Sequence, residues 1–523
     1  MQTNAEDNRE LSAKIVNDLG CTLLPNGKSL REHLTIEGIS LWDVMTPSMA
    51  LYYVPQSISL AQNKVTFFRR IRPYITYNKH RFLNAITRVR ASTFRSDDFI
   101  QSCSFLFMGF NAYMYSDILA PLAKQLASTD GKKNIVLNDA NYSEIRNLDS
   151  YNIQFRSVWQ YWSKDTAKDA RIFRQKTNKK ISELTKILRA KEFNFNNNYS
   201  ESIINHAFHW LLCFDLPLLV NQVVLARLIL KRCKPYLLIS PDVAAIKSRV
   251  FTLLAKQVNI PTLELQYGSC EENSYEWQFL LADHIAVWGN HSRENLLKQG
   301  VLEHQMTVTG SSRYDTLINA NQMDVLNKKA HLGLNNDNII VFFASTYQQK
   351  EYDSFSLHEQ LNSMKKAIFN AASKVQGLTL LVKPHPLENV DETRSFSPSA
   401  ENILFIPISE DIRDLINVCD VFIGLGSTAT IDAMIAKKLI ICPVFDDWIW
   451  SEWLVKSDAT LVPKSENEIE KIFIDLVEGS VEKIKAKLSF NQKKYINNSI
   501  YEPDGFSSKR ISQLAMSLAD KHY

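Results

Sequence analysis

Glycine and proline are scarce in this chain, 15 and 16 among 523 residues, which excludes collagen-like, linker-like and low-complexity architectures. Cysteine is also thin. The seven residues at 21, 103, 213, 233, 270, 419 and 442 form no CxxC pair, and an odd, scattered set excludes a disulfide framework and a zinc ribbon and fits a reducing compartment. No repeat period is present. The longest apolar run, WLLCFDLPLLVNQVVLARLIL from Trp210, is interrupted by Asp215, Pro217, Asn221 and Arg227, which a lipid-spanning helix tolerates poorly. It reads as a core helix or helix pair. The opening MQTNAEDNRELSAK lacks the apolar centre of a secretory signal, so a cytoplasmic location is expected.

What is present belongs to a globular chain, 45% apolar and 22% charged, long enough for two cores of ordinary size. Net charge is only +4, but its distribution is uneven. Between Leu51 and Ser96 stand Lys64, Arg69, Arg70, Arg72, Lys79, Arg81, Arg88, Arg90 and Arg95 with no acid, interleaved with Phe67, Phe68, Tyr74, Tyr77 and Phe82. That composition suits an anionic membrane surface or acceptor phosphates, so residues 64–95 are a candidate contact with the inner face of the membrane. No nucleic-acid motif accompanies it, and nucleic acid is not expected as a partner. A solvated helical face has the same composition.

From about residue 235, apolar runs of strand length alternate with amphipathic stretches, the rhythm of βα units in a parallel sheet. Strands are expected at 236–240, 262–266, 284–289, 306–310, 339–345, 378–383, 403–408, 421–426 and 439–445, with helices at 243–257, 291–299, 355–375, 410–417 and 428–437. Earlier, NIVLND at 134–139 reads as a strand and 203–232 as helical. The expected organisation is an α/β domain at 1–280 with extra helices and the basic segment, a second α/β domain at 281–500, and a C-terminal helix at 501–523.

In open parallel sheets ligands lie beyond the carboxyl ends of the strands, and four such ends are unusually polar. Gly426-Ser427-Thr428 runs directly into a helix, where glycine permits close approach and hydroxyls and free N–H groups suit phosphate. A plain N-cap looks the same. Lys383 and His385 end the LLVKPHP stretch, with Pro384 and Pro386 stiffening the backbone on both sides of the imidazole. Gly310 through Arg313 and Ser345-Thr346 end two more strands. The set offers hydroxyls, a guanidinium, an ammonium and an imidazole, but no carboxylate cluster for chelation. Binding an anionic nucleotide without an obligatory metal or cofactor is the simplest chemistry for it.

The ordered series ADHIAVWGNHSRENLLKQGV, VTGSSRYD, LLVKPHP and SEDIRDLINVCDVFIGLGSTATIDAMIAKKLIICPVFDD resembles the C-terminal domain of GT-B glycosyltransferases of bacterial surface polysaccharide synthesis. It is most similar to their sialyltransferase-like, Kdo-transferase-like and CDP-glycerol-transferase-like group. The resemblance implies two Rossmann-like domains with parallel sheets facing an interdomain cleft, residues 1–280 on the acceptor side and 281–500 binding the nucleotide donor. It implies that His385 contacts the nucleotide phosphate or ribose, that Ser427 and Thr428 hold phosphate oxygens, and that Asp432 caps or contacts the ribose. It further implies that Ile408 and Ser409 flank the base, and that Gly310 and Arg313 border the donor and stabilise the leaving phosphate.

Two departures bear on catalysis. Related chains often carry Gln-His-Gly where this one has Gln266-Tyr267-Gly268, and the acidic-acidic-Gly base motif of sialyltransferase-like enzymes is missing. Inverting transfer still needs a base, for which the candidates are Asp242, Glu271 and Glu272. The function implied is a metal-independent glycosyltransferase that moves a sugar from a nucleotide-activated donor, cytidine-activated by preference, to a lipopolysaccharide or capsule acceptor. The alternatives are a CDP-polyol phosphotransferase, a GT-B-like sugar-nucleotide epimerase and a non-catalytic nucleotide-binding scaffold.

Overall fold

The structure is a computed structural model that describes residues 5–55, 103–109, 115–130, 134–138, 153–189, 207–209, 211–212, 216–318 apart from 273, 322–445 apart from 336 and 348–354, 448 and 451–520, with Asn78, Phe82, Ala85 and Ile86. The nine cations of the 64–95 segment lie outside the described residues.

Fourteen strands are described: a small antiparallel ladder of β1 (Thr35–Ile36) and β2 (Ile39–Ser40), and two parallel sheets. The first sheet contains β3 (Phe105–Met108), β4 (Asn134–Asn138), β5 (Ile153–Ser157), β6 (Leu237–Ser240), β7 (Thr262–Leu265), β8 (His284–Val287) and β9 (Met306–Val308), in the order β5-β4-β3-β6-β7-β8-β9. The second contains β10 (Ile339–Ala344), β11 (Leu378–Lys383), β12 (Ile403–Phe405), β13 (Val421–Ile423) and β14 (Leu439–Ile441), in the order β12-β11-β10-β13-β14. Each order grows outward from its first strand and then reverses, so each sheet has a topological switch point, β3/β6 in one and β10/β13 in the other.

Burial explains why these segments are strands. LTLLVK of β11 is buried at all six positions and FLFM of β3 at all four, the continuous apolar pattern of parallel strands covered on both faces. Alternation then divides β3 between two cores. Phe105 and Phe107 pack with Ile511, Ala515 and Ala519, while Leu106 and Met108 join the core that holds Val223, Ala226 and Ile229 of the helix Leu216–Cys233. The apolar run from Trp210 therefore supplies a core helix. No helix among the described residues is long and apolar enough to cross a membrane.

The nine strands expected after residue 235 are all present, as is the one at 134–139. The chain forms two compact units, one of residues 1–287, 292–309 and 508–523, the other of 288–291 and 310–507. This differs from the division expected at 280. β8 and β9 pair with β7 in the first sheet, because a strand's own pattern does not state which sheet it joins. The last helix, Ser507–Asp520, likewise packs into the first unit along the stripe Ile511, Ala515, Ala519, one helical face repeated every four residues.

Within the second unit, the turn after β8 is held closely. Tyr501 donates its N–H to the Trp288 carbonyl at 2.6 Å, and a Cβ on Gly289 would lie 2.5 Å from the carbonyl carbon and oxygen of Ser499. Backbone cannot rotate aside as a flexible side chain can. Gly289→Ala should therefore destabilise the second unit by about 1–3 kcal/mol, read as a lowered midpoint in chemical denaturation, and an unchanged midpoint would refute this packing.

Candidate functional site

Parallel register brings two strand ends together. Ala344 of β10 stands opposite Lys383 of β11, and Ser345 donates its N–H to the Lys383 carbonyl at 3.1 Å. The loops that follow are tied by one carboxylate. Glu388 accepts from Ser345 Oγ at 2.8 Å and from the His385 N–H at 2.9 Å, and also from Lys365 Nζ and Thr393 Oγ1. The Lys365 and Glu388 side chains are only 4% and 5% exposed. Lys365 reaches this site from the helix Phe355–Lys374.

The imidazole of His385 is fixed at several points. Leu387 donates its N–H to Nδ1 at 3.1 Å, and the Tyr347 ring stacks on the imidazole with centroids 4.5 Å apart and planes 27° from parallel. Burial pushes the His385 pKa down; Glu388 opposes this, and Lys383 and Lys365 reinforce it. The ring is therefore neutral at pH 7, and with Nδ1 accepting, the hydrogen sits on Nε2 as a donor.

Lys383 has a narrower task than a free phosphate cation. Its ammonium donates to the Ile408 carbonyl at 3.0 Å, and burial lowers its pKa. It thus fixes the loop after β12. On that loop Ile408 is 38% exposed and Ser409 is exposed, and Leu387 after the proline turn is 68% exposed. Thr346 is half-buried beside Ser345.

The junction after β13 is more open in its chemistry. Gly426 has φ of 92°, and a Cβ on Gly424 would meet Thr430 Oγ1 at 2.4 Å and the Phe422 ring at 2.8 Å. Only glycine fits there. Thr428 precedes the helix Ala429–Ile435 in helical conformation and makes no side-chain capping bond. The turn is closed by backbone, Thr430 N–H to the Ser427 carbonyl at 3.0 Å and Ile431 N–H to that of Thr428 at 2.9 Å. Ser427 Oγ and Thr430 Oγ1 are buried without a hydrogen-bond partner among the described residues. A plain N-cap would have used such a hydroxyl, and an orphaned buried hydroxyl points to a ligand or water that completes it.

Arg313 and Asp432 form a buried pair. Gly310, with φ of 79°, turns the chain after β9 into the helix Ser312–Ile318, and Arg313 on that helix pairs with Asp432, Nε to Oδ1 at 3.0 Å and Nη2 to Oδ2 as the second arm. Their side chains are 4% and 1% exposed. Burial would lower the Arg313 pKa, but the Asp432 carboxylate overrides it and raises the value. A bidentate pair this buried pins one helix to another.

In the first unit, the three carboxylates expected as bases differ sharply. Glu272 is a surface group paired with Lys298 at 2.9 Å and 77% exposed. Glu271 is half-buried, with its own N–H bound to Ser274 Oγ at 3.0 Å. Asp242 follows β6 at the switch point, and its Oδ1 accepts the N–H groups of Ala244 and Ala245, both at 3.0 Å. Burial raises its pKa to about 6 against those two bonds and the nearby Arg249.

Beside it lies Glu264, which the sequence reading missed. It is 3% exposed with Oε1 unpartnered, and burial first, then Asp242, hold its pKa well above the carboxylate range. Both carboxyls line one small pocket with Ser248, Arg249 and Thr252. Tyr267 packs on the Trp277 ring with centroids 5.4 Å apart.

Lys365 and Glu264 had a signal in the sequence. Lys365 interrupts the buried stripe Leu361, Met364, Ile368, Ala372, and Glu264 sits inside the apolar TLEL strand; a charge in either place requires a partner or a proton. Glu388 had none, since a polar residue after a proline turn reads as loop. Asp432→Asn would strip the buried guanidinium of its countercharge and should cost the second unit about 3–5 kcal/mol, measured as loss of denaturation midpoint; a cost below 1 kcal/mol would contradict the pairing.

No curated protein sequence matches the chain. Residues 267–452 match the family described as CDP-glycerol:poly(glycerophosphate) glycerophosphotransferase, a span that holds every second-unit residue named above from Gly310 to Asp432. Among solved structures, the UDP-GlcNAc 2-epimerase of Neisseria meningitidis bound to UDP-GlcNAc is similar at 14% identity and TM-score 0.52, over 79% of this chain and all of that one. S. aureus MnaA with UDP gives 14% and 0.51 over 80% and 97%. A variant of the wall teichoic acid polymerase TagF gives 11% and 0.52 over 87% and 99%. With its two parallel sheets and these likenesses, the chain has the α/β GT-B-type fold, and its residues 267–452 carry the glycerophosphotransferase family pattern.

Proposed function

We propose that this protein transfers a polyol phosphate from a cytidine-diphosphate-activated donor to the growing end of a cell-surface polymer. The observation that carries this reading is the junction Gly426-Ser427-Thr428, where the buried hydroxyls of Ser427 and Thr430 have no partner among the described residues and Thr428 makes no cap. The family match over 267–452 supports the polyol phosphate, and the TagF variant soaked with CDPG, similar at TM-score 0.51, supports the cytidine nucleotide.

In this reading Ser427 and Thr428 hold phosphate oxygens, and His385 donates from Nε2. Ile408, Ser409 and Leu387 flank the base. Arg313 with Asp432, Lys383 and Gly310 shape the loops around them. The acceptor is assigned to the first unit and to the cation-rich segment 64–95, which suits an anionic polymer or lipid surface. The acceptor hydroxyl oxygen attacks the phosphorus that bears the polyol, the bond from that phosphorus to the bridging oxygen breaks, and CMP leaves. The hydroxyl proton passes to Asp242, which is ionised at pH 7 yet close enough to neutrality to accept it.

A second reading, transfer of a sugar from the same class of nucleotide, is favoured by one observation. Tyr267 replaces the histidine of related chains and is packed on Trp277, so the base is a carboxylate, as in sugar-transfer chemistry of the sialyltransferase-like group. A donor labelled at the polyol-bearing phosphorus separates the two, because only polyol phosphate transfer carries label into polymer. Product formed without any acceptor would instead indicate an epimerase.

Thermal-shift measurements with CMP, CDP, UDP, GDP and ADP should give selective stabilisation by cytidine nucleotides, weakened in His385→Ala. Equal shifts in both proteins would remove His385 from the site, and no shift with any nucleotide would defeat the reading. Asp242→Asn should lower kcat by about 10²–10⁴-fold. Since the base works deprotonated, the wild-type rate should fall as pH drops through about 6, and retention of that limb in Asp242→Asn would exclude Asp242 as the base.

A further inference from the structure

We infer that Glu388 is a positioning residue of the proposed nucleotide site, its single buried carboxylate holding the loops 345–347 and 383–388 in one geometry. The inference rests on the donor-site reading above.

Proline has no N–H, so within Pro384-His385-Pro386 only His385 can donate from the backbone. That donor is captured by Glu388 Oε2 at 2.9 Å. The other oxygen takes Ser345 Oγ at 2.8 Å, Lys365 Nζ and Thr393 Oγ1. One carboxylate, with about four acceptor sites, thus satisfies four donors from four segments. Two of them, Ser345 and His385, begin the loops after adjacent strands β10 and β11. The ring of His385 is then oriented by the Leu387 N–H on Nδ1 and by Tyr347, which stands two residues beyond Ser345. Both loops that bear on the imidazole are anchored to Glu388.

Stability alone does not account for this pair. A buried ion pair replaced by apolar residues of similar volume is often as stable or more so. An apolar pair cannot accept from the His385 N–H and Ser345 together. The role of Lys365 is to hold Glu388 in place, and the role of Glu388 is geometric.

The double variant Lys365→Met/Glu388→Met removes both charges and so tests geometry apart from burial of an unpaired ion. Full-length protein should keep an unfolding midpoint near that of wild type while its CMP and CDP affinity, measured by calorimetry, falls about ten-fold or more. The ring ¹⁵N signals of His385, assigned by their loss in His385→Ala, should change from a single Nε2–H tautomer to an averaged pattern. Wild-type affinity and an unchanged ring pattern in the double variant would overturn the inference while leaving the donor site standing. Failure of wild type to bind any nucleotide would remove the donor site, and this inference with it. If the double variant does not fold, Ser345→Ala, which keeps the ion pair, should still weaken CMP binding several-fold and perturb the His385 signals, and an unaltered Ser345→Ala protein would overturn the inference equally.

Discussion

Parallel pairing of β10 with β11 is the constraint on which the second unit's chemistry depends. Because Ala344 pairs with Lys383, the two strands stop at one level and release their loops side by side. A shift of one residue would turn the side chains of the shifted strand to the opposite face and force the cores on both faces to repack. Register is therefore enforced by the core. The positions of Ser345, Tyr347 and His385 follow from it, and Glu388 then converts closeness of two loops into a fixed arrangement. Paired with β10 on its other side, β13 brings the Ser427 junction to the same edge of the sheet.

Three kinds of polar group at this edge show how burial sorts structure from function. Arg313 and Asp432 pair with each other, 119 residues apart in sequence. Lys365 and Glu388 also pair with each other, but the carboxylate has capacity left for loop donors. Ser427 and Thr430 are buried and satisfied by nothing among the described residues. Desolvation penalises each group in the same way. The difference lies in what completes it, and the unfinished hydroxyls belong where a ligand would supply the missing partner.

Much of this fold is legible in the sequence because parallel strands buried on both faces leave uninterrupted apolar words such as IIVFFA and LTLLVK, punctuated by glycine or proline. His385 and Ser427 are legible for the same reason, since prolines and glycines mark the strand ends that carry them. β5 is not. Its burial alternates along IQFRS, and as an edge strand it carries Arg156 outward, so five residues give too short a pattern. The sheet to which β8 and β9 belong is equally hidden, because pairing is a property of two segments. Partnerships across long separations fail for that reason too: Arg313 reads as a strand-end cation until Asp432 is placed against it, and Glu388 reads as loop until Lys365 arrives from a helix 23 residues earlier.

The first unit handles a buried cation differently, and the difference bears on which carboxyl can act as a base. Arg249 is fully buried, yet its guanidinium is bound by carbonyl oxygens of Asp43, Val44, Val243 and Phe279 and by Thr46 Oγ1, at 2.5 to 3.3 Å. No carboxylate is bonded to it in that set, and burial pushes its pKa down to about 9. Neutral acceptors leave the positive charge uncancelled, so it exerts a field on Asp242 and Glu264 without ion-pairing to either. Glu264, wholly enclosed, is pushed well above the carboxylate range in spite of that field. Asp242 is less enclosed and is bonded by two backbone N–H groups, which favour its anion. Two carboxyls in one pocket are thereby driven apart in proton affinity, one pushed well above the carboxylate range and one raised to about 6, the separation that assigns acid and base roles to neighbouring groups. Had Arg249 been saturated by Asp242 in the manner of Arg313 and Asp432, that carboxyl would have been locked as an anion too weakly basic to take a proton.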